Sequence, residues 1–463
     1  MSFLNRLRGK ESKPAAAPVR KRVCFIGLDG TPYSLLQRMI REGITPNIGA
    51  LTRAGSLRPM HSVYPWVSSV AWSSFMTGQN PAKHGIFGFV DRDPATLKTY
   101  IPTARNMLSP TLWEYLSRAG KRVVVVNVPV TFPPKPVNGV LVGCFLSPSL
   151  EKTVYPASLL PTLQRLEYRV DTDPWKARES REAGMADILD ALEKRVRTMF
   201  YLLENEDWDY FMMVIMETDR LHHFYFEPME QNDPVWAPAF FDVYRRIDEA
   251  IGQVRARLDE NTTLMLMSDH GFCSIKQEVF YNHWLARAGY LKLSKPPEQI
   301  KGPDLTALAP TSLAYSLDPG RIFINLKGRE KEGRVAPGAE YERLRDELIQ
   351  AAEALTDPAS GERLLLKAYR REEIYRGPYL DRAADIILAP ANGYDPKGAL
   401  AKETFTYKDK MMVGMHTYND AMLYIGGHTL PPQEVDIRAV MPTILHLLDV
   451  SAAADLDEHS LLS

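Results

Sequence analysis

Short runs of apolar and β-branched residues alternate along the chain with longer segments in which apolar residues recur at helical spacing. The short runs predict strands buried on both faces, and the longer segments predict the helices that cover them. The predicted strands are residues 23–29, 123–129, 139–145, 209–216, 263–269, 321–326, 384–389 and 421–427. The predicted helices include residues 111–119, 179–205, 237–258 and 340–355. This alternation predicts an α/β fold whose central sheet is mostly parallel, with helices on both faces.

The segment from residue 275 to residue 400 differs from the rest of the chain in composition. It is richer in proline, glycine and charge, with stretches such as "SKPPEQIKGPD" and "KGREKEGRVAPGAEYE". Such stretches are typical of loops that elaborate a core. We therefore predict a smaller inserted subdomain at 275–400, and a main core made of residues 22–274 and 401–455.

Composition and charge exclude some classes of partner. The chain has 463 residues, a formal net charge of −1, 45% hydrophobic and 24% charged residues, all ordinary values for a globular protein. A charge so close to zero gives no general attraction to nucleic acid, and no nucleic-acid partner is expected. Residues 1–21 are basic and rich in alanine and proline, which predicts a flexible tail. No stretch has the ~20 consecutive apolar residues of a membrane span, so stable membrane insertion is not expected.

The cysteines indicate a reducing compartment. Cys24, Cys144 and Cys273 lie far apart in the sequence and form no CxxC pair. A disulfide scaffold is therefore not expected, and we predict a cytoplasmic location. The sequence does not specify an oligomeric state.

Three predicted strands end on acidic residues, two of them with a histidine nearby. "VCFIGLDG" ends on Asp29, "DYFMMVIMETDRLHH" runs into Asp219 and His223, and "TLMLMSDHG" ends on Asp269 and His270. In open parallel sheets, ligands bind beyond the carboxyl ends of the strands, so residues at three such ends can meet. Asp29 alone would most often be a helix cap. Three carboxylates with two histidines indicate a metal site instead.

Two histidines add to this pattern and one does not. Asp219 and His223 are four residues apart, so on a helix both would face the same side, as two ligands of one ion do. His222 would point elsewhere, and we interpret it as a surface residue or a support for the ligands. His416 lies far downstream in a loop. Mixed carboxylate and imidazole ligands suit zinc, manganese or iron rather than calcium.

A hydroxyl-rich stretch, "YPWVSSVAWSSFMTGQNPAKHGIFGF", occupies residues 64–89. Its simplest interpretation is a helix N-terminus capped by a serine. A serine there is also well placed as a nucleophile, because the helix dipole and free N–H groups hold an anionic substrate. We interpret Lys83 and His84 as structural, with "HGI" fixing a turn.

Taken in order, these motifs resemble those of the alkaline phosphatase superfamily. The resemblance is strongest to the branch of type I phosphodiesterases and nucleotide pyrophosphatases and the related predicted phosphohydrolases or phosphomutases. The matching elements are Asp29-Gly30, Thr45-Pro46-Asn47, the hydroxyl stretch, Asp219 with His223, "SDHGF" at 268–272, His416 and "DIRAVMPTILHLL" at 436–448. They cover residues 22 to 455, which makes the main core an alkaline phosphatase-like catalytic core.

The resemblance implies a two-metal site for in-line displacement at the phosphorus of a small phosphate ester. One divalent cation would be bound by Asp29, Ser68, Asp269 and His270, and the other by Asp219, His223 and His416. We expect zinc, with manganese as the alternative. Ser68 is the expected catalytic nucleophile, in preference to its neighbour Ser69. It would form a covalent phospho-enzyme that water then cleaves.

Departures from the family pattern narrow the implied activity. Ser68 is followed by "SVAW" rather than by the x-P-x-R that sulfatases need for formylglycine formation. Ala71 stands where nucleotide pyrophosphatases usually have asparagine, so a backbone N–H such as that of Ser69 would stabilise negative charge instead. Phosphodiesterase-like hydrolysis is the first interpretation. A phosphomutase of the same superfamily, or a metal-binding regulatory protein without turnover, are the alternatives.

Overall fold

The computed structural model describes residues 20–430, 432–452 and 454–462. The strands are β1 Arg22–Leu28, β2 Gly55–His61, β3 Asp91–Arg92, β4 Thr99–Tyr100, β5 Val123–Val126, β6 Gly139–Val142, β7 Val154–Tyr155, β8 Tyr210–Ile215, β9 Thr262–Met267, β10 Gly271–Ser274, β11 Gln277–Phe280, β12 Ala314–Leu317, β13 Arg321–Ile324, β14 Leu365–Arg370, β15 Ile386–Pro390, β16 Tyr394–Lys397, β17 Thr406–Tyr407, β18 Gly414–Thr417, β19 Ala421–Gly426 and β20 Val435–Asp436. The helices are α1 Tyr33–Arg41, α2 Pro46–Leu51, α3 Ser68–Thr77, α4 Pro81–His84, α5 Leu112–Arg118, α6 Leu160–Arg165, α7 Pro174–Glu179, α8 Arg181–Asn205, α9 Glu217–Glu230, α10 Trp236–Arg257, α11 Tyr281–Arg287, α12 Ala339–Glu353, α13 Arg371–Ile374 and α14 Val440–Leu447.

A nine-stranded sheet forms the centre of the fold. Its strand order is β20-β2-β19-β9-β1-β8-β5-β6-β7. The inner strands β9, β1, β8, β5 and β6 are all parallel to their neighbours in this run. β19 is antiparallel to both β9 and β2, and β7 is antiparallel to β6. The predicted α/β fold with a mostly parallel central sheet is confirmed.

Helices cover both faces of this sheet because its strands are apolar on both sides. Alternate residues of a strand point to opposite faces. In β1, Cys24 and Ile26 accordingly join one hydrophobic cluster, and Val23 and Phe25 join another. The first cluster contains the buried faces of α8, α9 and α10, and the second contains those of α3, α5 and α14.

A group of smaller sheets forms the inserted subdomain. β12, β13, β15 and β14 make a four-stranded antiparallel sheet, and β16, β11 and β17 make a three-stranded one. The strands predicted at 321–326 and 384–389 are therefore present as β13 and β15, outside the central sheet. A third hydrophobic cluster runs through these elements and also includes Ala82 and Phe87 of the core. The limits 275–400 remain a prediction, and β11 already pairs with Thr406 in β17.

The predicted tail at 1–21 lies mostly outside the described residues. Its last two residues, Arg20 and Lys21, form ion pairs with Asp209 and Asp449 at 2.6 and 2.8 Å. Within the described ranges, no helix combines the length and the apolar character needed to cross a bilayer. The three cysteines are all unpaired.

Candidate metal centre and active site

The carboxyl ends of three central strands bring the acidic residues together. Asp29 directly follows β1, Asp219 lies in the first turn of α9 after β8, and Asp269 comes two residues after the end of β9. Because β1 is hydrogen-bonded between β8 and β9, these ends are neighbours in space. His416 arrives from a different direction, on β18, which pairs with β10 immediately after His270.

A first candidate ligand group surrounds the hydroxyl of Ser68. The Oγ atom of Ser68 donates to Asp29 Oδ1 at 3.3 Å and lies 3.2 Å from Nε2 of His270. The same Nε2 is 3.3 Å from Oδ2 of Asp269 and 3.7 Å from Asp29 Oδ1. All four side chains are buried. The donor atoms of this group therefore converge in a dry space.

A second candidate ligand group consists of Asp219, His223 and His416. Nε2 of His416 is 3.2 Å from both Asp219 Oδ1 and His223 Nε2, and His223 Nε2 is 3.4 Å from the same carboxylate oxygen. Asp219 and His223 are one turn apart on α9, so both face the same side of that helix.

The two groups adjoin each other. Ligand atoms of Asp219, His223 and His416 all lie within 4.8 Å of one another, and so do ligand atoms of Asp29, Asp219 and His270. The rings of His270 and His416 stack with their centroids 3.7 Å apart. Paired metal sites for phosphoryl chemistry have cations about 4 Å apart, which agrees with this proximity.

The histidines present lone pairs rather than protons to these groups. In His223, His270 and His416, Nδ1 donates to a backbone carbonyl, at 2.9, 3.1 and 3.3 Å respectively. Burial lowers the pKa of His416 to about 3 and also lowers the pKa of His223, so both rings are neutral at physiological pH. A neutral imidazole has one N–H, so Nε2 is an acceptor. These acceptors face carboxylate oxygens and each other, an arrangement that cations would stabilise.

The Asp269 carboxylate has one unsatisfied oxygen. Its Oδ1 accepts a hydrogen bond from the backbone N–H of Gly30 at 3.1 Å. Its Oδ2 is buried and has no hydrogen-bond partner among the described residues. A buried oxygen without a donor costs free energy unless a cation or proton compensates it. The residues present therefore fit a pair of divalent cations.

Comparison with known families agrees with this chemistry. The family described as type I phosphodiesterase / nucleotide pyrophosphatase matches residues 23–419. The chain belongs to this family. It is thus a member of a family of phosphoric ester hydrolases, as the motifs predicted. Comparison with curated protein sequences gives no significant match.

Two solved structures illustrate the shared fold. Phosphonoacetate hydrolase from Sinorhizobium meliloti 1021, in complex with phosphonoacetate, is 16% identical with a TM-score of 0.62, over 94% of this chain and 96% of that chain. Murine ectonucleotide pyrophosphatase / phosphodiesterase 5 is 15% identical with a TM-score of 0.57, over 96% of this chain and 100% of that chain. At these identities the similarity shows the common fold.

The three carboxylates of this phosphodiesterase-family site are in different electrostatic situations. Burial, with repulsion from Asp269 and Asp219, raises the pKa of Asp29 well above its usual value. Burial raises the pKa of Asp269 to about 8. Burial also acts to raise the pKa of Asp219, but the two histidines and Arg220 outweigh it and lower that pKa overall. The first group therefore needs added positive charge to hold two ionised carboxylates.

We predict that the metal-free protein loses stability as the pH rises from about 4 to about 8. Asp269 has a pKa of about 8 in the folded protein and about 4 in an unfolded chain. The folded state therefore binds more protons in this interval, and the free energy of unfolding falls as they leave. After chelation, calorimetry should show Tm falling on the order of 5 °C between pH 5 and pH 8.

Zinc and one substitution provide controls for this pH dependence. Added zinc should stabilise more at pH 8 than at pH 5, since it favours the ionised carboxylates. Asp269→Asn should remove the part of the decline that comes from Asp269, because an amide does not titrate, and leave the part that comes from Asp29, whose pKa is also raised. A Tm that is equally insensitive to pH with and without zinc would contradict the prediction.

Two residues that the sequence did not identify as supports, Trp72 and Arg220, hold acidic side chains in place. Trp72 Nε1 donates to Asp29 Oδ2 at 2.7 Å. Arg220 Nη1 donates to Asp219 Oδ2 at 2.8 Å, and its Nη2 donates to Asp171 at 2.7 Å. Trp72 is fully buried, so it is a support rather than a surface for stacking. In the sequence, the only indication that Arg220 supports Asp219 is that it directly follows this residue.

His222 supports the turn after Asp29. It is buried rather than on the surface, which decides between the two interpretations of the sequence. Its Nδ1 donates to the carbonyl of Gly30 at 3.0 Å, and its Nε2 accepts from the hydroxyl of Tyr244 at 2.8 Å. The ring therefore fixes the backbone next to Asp29, a candidate metal ligand.

The helix that carries Ser68 begins differently from the prediction. α3 starts at Ser68 itself, Val67 is the N-cap, and no side chain caps the helix. The predicted serine cap is wrong because the Ser68 hydroxyl bonds instead to the metal-site residues. Among the described residues, the backbone N–H groups of Ser68 and Ser69 have no hydrogen-bond acceptor. They remain available for a ligand.

Two sequence motifs lie away from this centre. The backbone and side-chain N–H groups of Asn47 donate to Asp248 at 3.0 and 2.9 Å, which ties α2 to α10. His84 is buried, with Nε2 bonded to the Ser74 hydroxyl at 3.0 Å and Nδ1 accepting from the N–H of Ile86 at 3.2 Å. Both motifs have structural roles.

A cavity of about 300 Å³ opens beside His223 and His416. Its core side is lined by Trp66, Val67 and Phe89, and its subdomain side by residues that include Leu388, Pro396 and Lys397. Val67 directly precedes Ser68. The cavity therefore adjoins both the start of α3 and the second candidate ligand group.

Proposed function

We propose that the protein is a divalent-metal-dependent hydrolase of small phosphate diesters, with Ser68 as its nucleophile. The observation that carries the proposal is the meeting of acceptor atoms at 3.2–3.4 Å around Asp219, where two imidazole lone pairs face one carboxylate oxygen. The family match to type I phosphodiesterases supports hydrolysis of a phosphoric ester.

The proposed ligands are the two sets that the family resemblance implies. One cation would be held by Asp29, Ser68, Asp269 and His270, and the other by Asp219, His223 and His416. Zinc is our first choice and manganese the second, because this mixture of carboxylate and imidazole suits both. When bound, the cations would supply positive charge that favours the ionised serine and the negative charge developing at phosphorus.

Ser68 performs the covalent step. Its oxygen lies within 3.3 Å of Asp29 and His270. Ser68 is the first residue of α3, and its hydroxyl does not cap that helix. The Ser68 oxygen forms a bond to phosphorus as the bond from phosphorus to the leaving alcohol oxygen breaks. Water then cleaves the Ser68–phosphorus bond and releases the second product.

The first turn of α3 binds the phosphate oxygens. The free N–H groups of Ser68 and Ser69 point out of the N-terminus of a helix, where backbone donors and the helix dipole favour anions. They would take over the role of the asparagine that nucleotide pyrophosphatases usually have at the position of Ala71. The organic part of the ester occupies the cavity beside Val67 and His416.

The substrate is a small molecule. Phosphonoacetate hydrolase was solved with phosphonoacetate, and murine ectonucleotide pyrophosphatase / phosphodiesterase 5 was solved with AMP. These are small phosphorus compounds, and a cavity of about 300 Å³ suits a ligand of that class. The cytoplasmic location expected from the cysteines stays a prediction.

Removal of metal is expected to abolish hydrolysis. After chelator treatment, turnover of bis-para-nitrophenyl phosphate should fall to background, and zinc or manganese should restore it with about two ions bound per chain. Metal analysis and steady-state kinetics measure both quantities. Full turnover without metal would contradict the proposal.

A product assay separates the alternatives. A panel of phosphate monoesters, diesters and nucleotides distinguishes a hydrolase, which releases phosphate or a phosphate monoester, from a phosphomutase, which keeps the label in the substrate. Tight binding of metal with no turnover of any ester would favour the regulatory protein instead.

A further inference from the structure

The inserted subdomain contributes charged side chains to the cavity, whereas the core contributes mainly apolar ones. Asp318, Asp395 and Lys397 line the subdomain side. Trp66 and Phe89 are among the residues on the core side. A bound organic group therefore contacts aromatic rings on one side and charges on the other.

The single lysine of this wall is already neutralised. Nζ of Lys397 is 2.5 Å from Asp395 Oδ2 and 3.7 Å from Glu278 Oε1. Asp318 is a second carboxylate on this wall, so the charged side chains that line it carry two negative charges and one positive charge. The wall is therefore electrostatically negative, although it contains a lysine.

Asp318 is the carboxylate of this wall that forms no ion pair within 4.0 Å among the described residues, although Lys397 and Arg321 lie near enough to attract its charge. It lies in the turn between β12 and β13, where its carbonyl accepts from Arg321 Nε at 3.0 Å. Its Oδ1 accepts from the backbone N–H of Gly398. Its Oδ2 has no hydrogen-bond partner among the described residues, and the side chain is exposed at the cavity. A fixed carboxylate with one open oxygen is a preorganised acceptor.

We propose that Asp318 is a specificity-determining residue that selects esters whose organic group carries a positive charge, as in a primary or quaternary ammonium. The inference rests on the proposed function and names its substrate class. An ammonium group gains attraction to Asp318 that an uncharged group of the same shape does not. The aromatic rings of Trp66 and Phe89 stabilise the same cation. An anionic organic group would be repelled.

Three para-nitrophenyl phosphodiesters that differ only in the second alcohol test this directly. The alcohols are choline, neohexyl alcohol, which is its uncharged isostere, and a carboxyalkyl alcohol of the same length. We expect kcat/KM for the choline ester to exceed that for the neohexyl ester by at least about tenfold, with the carboxyalkyl ester poorest. Equal values for the three esters would overturn the inference.

Two asparagine variants locate the effect. Asp318→Asn keeps the acceptor for Gly398 and removes the charge, so the choline-to-neohexyl ratio should fall to about one. Asp381→Asn removes a negative charge from the subdomain outside this cavity, and its ratio should match the parent. A parent ratio that survives in Asp318→Asn would overturn the assignment of this residue.

Two further measurements keep the inference distinct from the proposed function. A preference for the carboxyalkyl ester that disappears in Lys397→Met would overturn the inference, because it would assign an anionic group to the lysine. Calorimetric binding of phosphocholine and neohexyl phosphate to Ser68→Ala protein measures the same discrimination without turnover. Absence of hydrolysis would then count against the proposed function alone, whereas equal binding would count against the role of Asp318.

Discussion

Replacing Ser68 by alanine is expected to lower kcat/KM for phosphate diesters by about 10⁴-fold or more while the metal content stays near the parent value. Within the described part of the chain, Ser68 has the only side-chain hydroxyl bonded to the Asp29 carboxylate or to His270. Without it, no side-chain hydroxyl of the described residues is bonded to this ligand group, so none is in place to form the bond to phosphorus. Steady-state kinetics with bis-para-nitrophenyl phosphate and metal analysis of the same samples measure the two quantities.

Trapping the covalent phospho-enzyme is an independent test of Ser68 as the nucleophile. Acid quenching during turnover, followed by mass spectrometry, should find a phosphorus-containing group on the peptide with Ser68 in the parent protein only. Ser69→Ala is the matched control, because the Ser69 hydroxyl is buried without a partner among the described residues. This substitution should lower kcat/KM by less than about tenfold, since the backbone N–H of residue 69 is retained. An inactive Ser69→Ala beside an active Ser68→Ala would reverse the assignment.

The parts of the site that follow from local rules could be predicted from the sequence. Asp29 and Asp269 follow apolar runs that could only be buried strands, and parallel strand ends meet at one edge of a sheet. The four-residue spacing of Asp219 and His223 placed both on one face of α9. These inferences need only the periodicity of strands and helices, so they do not depend on long-range packing.

The parts that depend on tertiary contacts could not be predicted in the same way. His416 reaches the site through the pairing of β18 with β10, which joins segments far apart in the chain. The bonds of Trp72 to Asp29, and of Arg220 to Asp171, likewise have no periodic signature. The prediction of a serine cap was wrong for the same reason. The Ser68 hydroxyl bonds to Asp29 and His270, which are distant in sequence, and not to the backbone of its own helix.

The inserted subdomain shows the same limit on a larger scale. Composition indicated an elaboration, but it did not reveal that Asp318 and Lys397 would face the metal-site histidines across a cavity. With the roles proposed above, substrate selection would be separated from the catalytic ligands. The candidate ligands lie in the core, at the ends of central strands, on α3 and α9 and on β18, whereas the charged wall comes from the insertion, so one can change without the other.

Asp219→Asn is expected to lower kcat/KM by about 10³-fold or more and to reduce bound metal from about two ions per chain to one or fewer. Asp219 has this effect because its carboxylate lies within 4.8 Å of ligand atoms in both groups. An amide keeps the shape of the side chain and loses the charge, so the pair of histidines would face a weaker ligand. Metal analysis and kinetics at increasing zinc concentration measure the loss, which excess zinc should not restore.

Arg220→Lys is the matched control for this loss, since it alters the support of Asp219 and leaves the ligand itself intact. Lysine keeps the positive charge, but it cannot hold Asp219 and Asp171 together as the guanidinium fork does. We expect a 10- to 100-fold lower metal affinity, as is usual when a partner of a metal ligand is changed, with activity recovered at high zinc. An Asp219→Asn protein that kept two ions and full activity would refute the assignment of this carboxylate as a metal ligand.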